Sequence, residues 1–128
     1  LLTLVVGAMA CHARWAAVQQ GCLGFLFHVT HGTDAFALER KETAFQAGAL
    51  SAILAAMERH QRHAAILQWG CRAVLNVTSG SDANAMARKR AAVELGCADT
   101  IAQAMTANAK VKGIQLWGCR AILTMAVG

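Results

Sequence analysis

The dipeptide Gly-Cys occurs three times in this 128-residue chain, at Gly21-Cys22, Gly70-Cys71 and Gly118-Cys119, at separations of 49 and 48 residues. Its surroundings recur with it. Gln68-Trp69-Gly70-Cys71-Arg72-Ala73-Val74-Leu75 matches Leu116-Trp117-Gly118-Cys119-Arg120-Ala121-Ile122-Leu123 almost residue for residue, and Gln19-Gln20-Gly21-Cys22-Leu23-Gly24-Phe25-Leu26 is a looser first copy. A second landmark keeps the period: Gln46-Ala47-Gly48 aligns with Glu94-Leu95-Gly96, Met57 with Met105, and Met9 falls near the equivalent place. Two landmarks in one register mark an internal repeat. A unit this short cannot bury its apolar face alone, so stacked copies must share a core.

Each period reads as three helices. The polar stretches His31-Gly32-Thr33-Asp34 and Ser79-Gly80-Ser81-Asp82-Ala83-Asn84 supply turn and N-cap chemistry. A short helix follows over 35–47 and 84–95, ending at Gly48 or Gly96, where a residue free to take positive φ suits a helix C-terminus. A second helix covers 49–59 and 98–107. After a break at His60-Gln61-Arg62 or Thr106-Ala107-Asn108, the long Gly-Cys helix runs over 63–78 and 111–126. Its apolar residues Leu67, Cys71, Val74, Leu75 and Thr78 recur at three and four. Residues 2–10 and 12–30 supply the last two helices of a truncated copy. The expectation is eight helices and no strand, in one domain over 1–128 divided into 1–31, 32–79 and 80–128.

Composition agrees. With 56% hydrophobic and 15% charged residues, intrinsic disorder is excluded. The absence of proline suits long helices. Five cysteines, an odd number without close pairing, point away from a disulfide framework and to a reducing intracellular compartment, cytoplasm or nucleus. No apolar run reaches the length of a membrane span. Both ends of the sequence are apolar, and the chain reads as a fragment of a longer array. Twelve Lys and Arg against seven Asp and Glu give a net charge of +5, mildly basic and short of a dedicated nucleic-acid binder.

The run Gln68-Trp69-Gly70-Cys71-Arg72-Ala73-Val74-Leu75-Asn76-Val77, preceded by a Gly-terminated helix and an Ala/Leu/Ile-rich helix, resembles the armadillo repeat family, with HEAT repeats as the near neighbour. The resemblance implies a right-handed α-solenoid, here of about two and two-thirds repeats, whose long third helices line a concave binding face. Family members that bind nuclear-import signals use a Trp with an Asn four residues later. Here those positions are Arg72 with Asn76, Leu23 with Phe27, and Arg120 with Thr124. The Trp is absent throughout and the Asn survives once, so binding of basic import signals is not expected.

Arg72 and Arg120 instead favour an acidic or carboxylate-bearing protein partner. The expected face comprises Gln19, Leu23, Phe27, Gln68, Trp69, Arg72, Asn76, Trp117, Arg120 and Thr124, at i, i+4, i+8 spacing opposite the cysteines. Trp69 and Trp117 fit either packing at the helix edge or anchors for a partner. Gln20 replaces the Trp in the first copy, and Trp15 has no repeat partner. Cys22, Cys71 and Cys119 read as small core residues at one repeat position. Arg88-Lys89-Arg90 reads as a solvated helix surface. The pairs His28/His31 and His60/His63 lack a third ligand, so no metal is expected. No catalytic motif or cofactor fingerprint is present. The expected function is a non-catalytic scaffold or adaptor. The alternatives are a structural subunit of a large assembly, or a basic helical-repeat module for nucleic acid or an acidic surface.

Overall fold

A computed structural model describes residues 1–126; Val127 and Gly128, the end of the third expected copy, lie outside the described residues. The described chain is all-α, with eight helices and no strand: α1 (Leu2–Cys11), α2 (Ala16–Thr30), α3 (Ala35–Gln46), α4 (Ala49–Arg59), α5 (Ala64–Thr78), α6 (Ala83–Leu95), α7 (Cys97–Ala107) and α8 (Lys112–Ala126). The long helices α2, α5 and α8 form one layer, with α5 packed between the other two. The short helices α1, α4 and α7 form a second layer behind them, and α3 and α6 close the ends of the long ones. The core between the layers is built from Leu23, Leu26, Ile53, Met57, Ile66, Leu67, Cys71, Val74 and Ile101.

The elements end where their residues require. Gly48 and Gly96 take φ of 87° and 86°, so α3 turns into α4, and α6 into α7, through a single left-handed residue. Asp34 caps α3 by accepting the Ala37 N–H at 2.8 Å, while Asp82 stands in the same place without a side-chain cap bond. Helix α2 begins at Ala16, later than residue 12. Residues 12–14 form a turn, Trp15 is extended at φ −90° and ψ 103°, and the Trp15 N–H bonds to His12 O. This turn matches the bends before α5 and α8. His60 Nε2 donates to Ala13 O (2.9 Å), and Asn108 Nδ2 donates to Gln61 O (3.3 Å), so successive bends are tied together in the same way.

Helix starts recur at a uniform 48 residues: Ala16, Ala64 and Lys112; Ala35 and Ala83; Ala49 and Cys97. This corrects the alignment of the first copy by one position. Gly21, not Gln20, stands in the place of Trp69 and Trp117. Cys22 stands in the place of Gly70 and Gly118, and Leu23 in that of Cys71. What recurs physically is a buried slot, filled by Leu23 in α2 and Cys71 in α5, both 0% exposed. Glycine is needed at the neighbouring site, because a Cβ on Gly70 would lie 2.6 Å from Met57 Sδ and one on Gly118 would lie 2.7 Å from Met105 Sδ.

Candidate functional site

Ridges of the long-helix layer bring the aromatic and arginine residues of three helices into one row. Phe27 comes from α2, Trp69 and Arg72 from α5 one turn apart, and Trp117 and Arg120 from α8 at the equivalent positions. The Arg72 guanidinium carbon lies 4.2 Å from the Phe27 ring centroid and 4.6 Å from each of Trp69 and Trp117. The Arg120 guanidinium carbon lies 5.0 Å from the Trp117 ring centroid. Phe27 and Trp69 touch directly, with centroids 5.4 Å apart. Each cation–aromatic contact of this kind stabilises by about 0.5–2 kcal/mol, the larger value where water is excluded. These contacts fix the long, flexible Arg72 side chain in one place.

The row carries positive charge that the fold does not neutralise. Arg88 pairs with Glu42 at 2.8 Å, on α6 and α3, and no described carboxylate pairs with Arg72 or Arg120. Arg72 Nε is buried and has no hydrogen-bond partner among the described residues. His28 and His31 flank the row, with His28 5.2 Å and His31 5.6 Å from Phe27, and His28 6.0 Å from Trp69. His28 is the residue at the Asn76 position once the 48-residue register is applied. The one-residue slip in the first copy hid this.

The ten residues expected on the face divide into three groups. Phe27, Trp69, Arg72, Trp117 and Arg120 form the row. Gln68 lies beside it, its amide against Gly113 of α8, and Thr124 Oγ1 donates to Arg120 O within its own helix at 2.9 Å. Gln19, Leu23 and Asn76 are spent inside the fold. Gln19 is 1% exposed, and its Nε2 donates to Met9 O (3.1 Å) and His12 O (3.0 Å), closing the end of α1. Gln115 makes the same pair of bonds to Met105 O and Asn108 O. Leu23 is core. Asn76 is buried, with Nδ2 donating to Phe27 O at 2.9 Å, which staples α5 to α2.

The basic run Arg88-Lys89-Arg90 is not a solvated surface. Arg88 is 1% exposed, with Nε donating to Val77 O (2.7 Å) and Nη1 to Glu42, and Lys89 is buried with Nζ donating to Gly80 O (2.8 Å). The preceding copy does the same. Arg40 Nε donates to Val29 O (2.6 Å), and Lys41 Nζ to Thr30 O (2.6 Å), Asn76 O (2.8 Å) and Ser79 Oγ (2.9 Å). These cations satisfy the orphan carbonyls at the C-termini of α2 and α5 and complement the negative ends of those helices. Burial, with the nearby charges of Arg88 and Arg40, brings the Lys41 ammonium down to about 8. Gln46 and Arg88 hold the Glu42 carboxyl below the usual range. Only Arg90 of the run is exposed.

All five cysteines are free thiols. Burial pushes Cys71 up to about 12 and Cys97 up to about 11, which keeps both protonated and unreactive. Cys119, at the Cys71 position, is exposed on α8. Among the described residues, no three His, Cys, Asp or Glu side chains come together as a metal ion would need. His63 instead caps α5, its Nδ1 accepting the Ile66 N–H at 3.4 Å, and Trp15 is exposed with Arg14 over its ring at 5.9 Å. No helix among the described residues is long and apolar enough to cross a membrane. A concavity of about 330 Å³ between α1 and α4, bordered by Val6, Met9, Ala52 and Ala55, has no charged side chain in its wall. No family model, curated protein or solved structure matches the chain.

Proposed function

We propose that this chain is a non-catalytic interaction module, a scaffold or adaptor that holds a protein partner along the outer face of α2, α5 and α8. The observation that carries the reading is the row Trp69–Arg72–Trp117–Arg120, which is seated on the buried ring of Phe27. Tryptophan and arginine dominate the binding energy of protein interfaces, and here they stand preordered on rigid helices. The period of three helices in 48 residues supports an armadillo-like right-handed solenoid, in which this face is the concave one. Five free thiols support a reducing intracellular compartment. Permanent residence in a larger assembly is the second reading. Its support is Leu116 and Leu123 on α8, 48% and 62% exposed.

The test is capture of partners on the tagged chain from cell extract, washed with nuclease at low salt. A protein retained after nuclease at low salt, and lost by at least about tenfold with Arg72→Glu or Arg120→Glu, is the expected result. Retention unchanged in both variants refutes the face. Loss of everything on nuclease treatment at low salt moves the function to an electrostatic nucleic-acid role.

A further inference from the structure

We infer that the Arg72–Trp117–Arg120 row receives an extended acidic segment, with carboxylates on two alternate residues, one for each guanidinium. This rests on the reading of the α2–α5–α8 face as a binding face, and adds the chemistry of what binds.

Charge sets the ligand class. Arg72 and Arg120 are not in an ion pair with any described carboxylate, and because Arg72 Nε is buried, its terminal nitrogens are the donors left for a ligand. The two cations share one ring. Their central carbons lie 4.6 Å and 5.0 Å from the Trp117 centroid, which places them within roughly 10 Å of each other, as on adjacent packed helices. Two like charges that close are relieved by an anion lying between or across them.

Geometry narrows the class to carboxylates on an extended chain. The rings of Phe27, Trp69 and Trp117 lie around the Arg72 guanidinium, whose carbon is 4.2–4.6 Å from their centroids. Its two terminal nitrogens carry parallel N–H donors in one plane, and a planar, two-oxygen acceptor matches that pair. Alternate residues of an extended chain point the same way and stand about 6.6–7 Å apart, which lets two acidic side chains reach both arginines. Adjacent residues point to opposite sides and reach only one. Nucleic acid fits less well, because guanidinium groups already lie over the tryptophan rings on which bases would stack.

The test is fluorescence anisotropy on the full chain with four labelled probes. These are a Ser/Gly peptide with two Glu on alternate residues, the same composition with the Glu adjacent, the alternate peptide with Gln for Glu, and a twelve-residue oligothymidine. The alternate-Glu peptide is expected to bind at least about threefold tighter than the adjacent one and about tenfold tighter than the Gln form. Arg120→Met, at an exposed position, and Arg72→Lys, which keeps the charge and loses the fork, should each weaken it about tenfold. Arg90→Met, exposed on α6, should leave it unchanged. Circular dichroism of each variant confirms that it is folded. Equal binding of Glu and Gln peptides, equal binding of alternate and adjacent peptides, an equal loss with Arg90→Met, or Arg72-dependent binding that favours oligothymidine would each overturn the inference. Protein partners that still depend on Arg72 and Arg120 while the peptides fail would discard the acidic segment and keep the face.

Discussion

Lys41 shows how much of this molecule is decided one side chain at a time. It is 2% exposed, and its three donors join the end of α2 to the end of α5. Replacing it by Met keeps the aliphatic stem and strips the carbonyls of Thr30 and Asn76 of that donor. Lys41→Met is expected to lower unfolding free energy by about 1–3 kcal/mol, read by urea titration, whereas Arg90→Met on the surface should shift it by less than about 0.5 kcal/mol. Arg40-Lys41 and Arg88-Lys89 stand 48 residues apart, in the repeat register. The recurrence is legible in the sequence, but charged residues on a short helix read as solvated. Only the neighbouring helix ends, with carbonyls to satisfy, make their burial favourable. The same holds for Gln19 and Asn76. Helix-face spacing placed them outward, while backbone carbonyls of Met9, His12 and Phe27 draw them inward.

At the level of elements, local chemistry was a good guide. Gly48 and Gly96 mark the breaks between short helices, because the chain reverses through a left-handed residue that a Cβ disfavours. A Cβ at Gly96 would meet nothing within 4 Å, so the cost of Gly96→Ala is conformational alone. It is expected to be about 1–2 kcal/mol, seen as a lower urea midpoint with unchanged slope. Helix α2 was less legible. Residues 12–15 carry no glycine or proline to announce their bend, which is held by bonds between backbone groups and by His60 reaching from the next copy. Without that bend the first Gly-Cys matched the others by letters, one residue out of step. Leu23 was then placed on the face, though it fills the core slot of Cys71.

In the whole molecule, stability is unevenly shared. Helix α5 buries nine of its fifteen residues between α2 and α8, and α1 buries only Leu2 and Met9 of ten. Hydrogen exchange should therefore be slowest in α5, near the global unfolding limit, and fastest in α1 by at least about tenfold, measured amide by amide. Equal protection of α1 and α5 would contradict this ordering. The sequence by itself determined the class of fold. A 48-residue recurrence of helix breakers and apolar positions specifies which segments are helices and that copies must pack on one another, since both effects act locally or repeat with the period. Tertiary packing alone decided which polar side chains turn inward to close helix ends and which remain outside. It also gathered Phe27, Trp69 and Trp117, from three separate helices, around Arg72. That choice depends on the groups an adjacent helix presents at a given height, and no spacing within one helix encodes it.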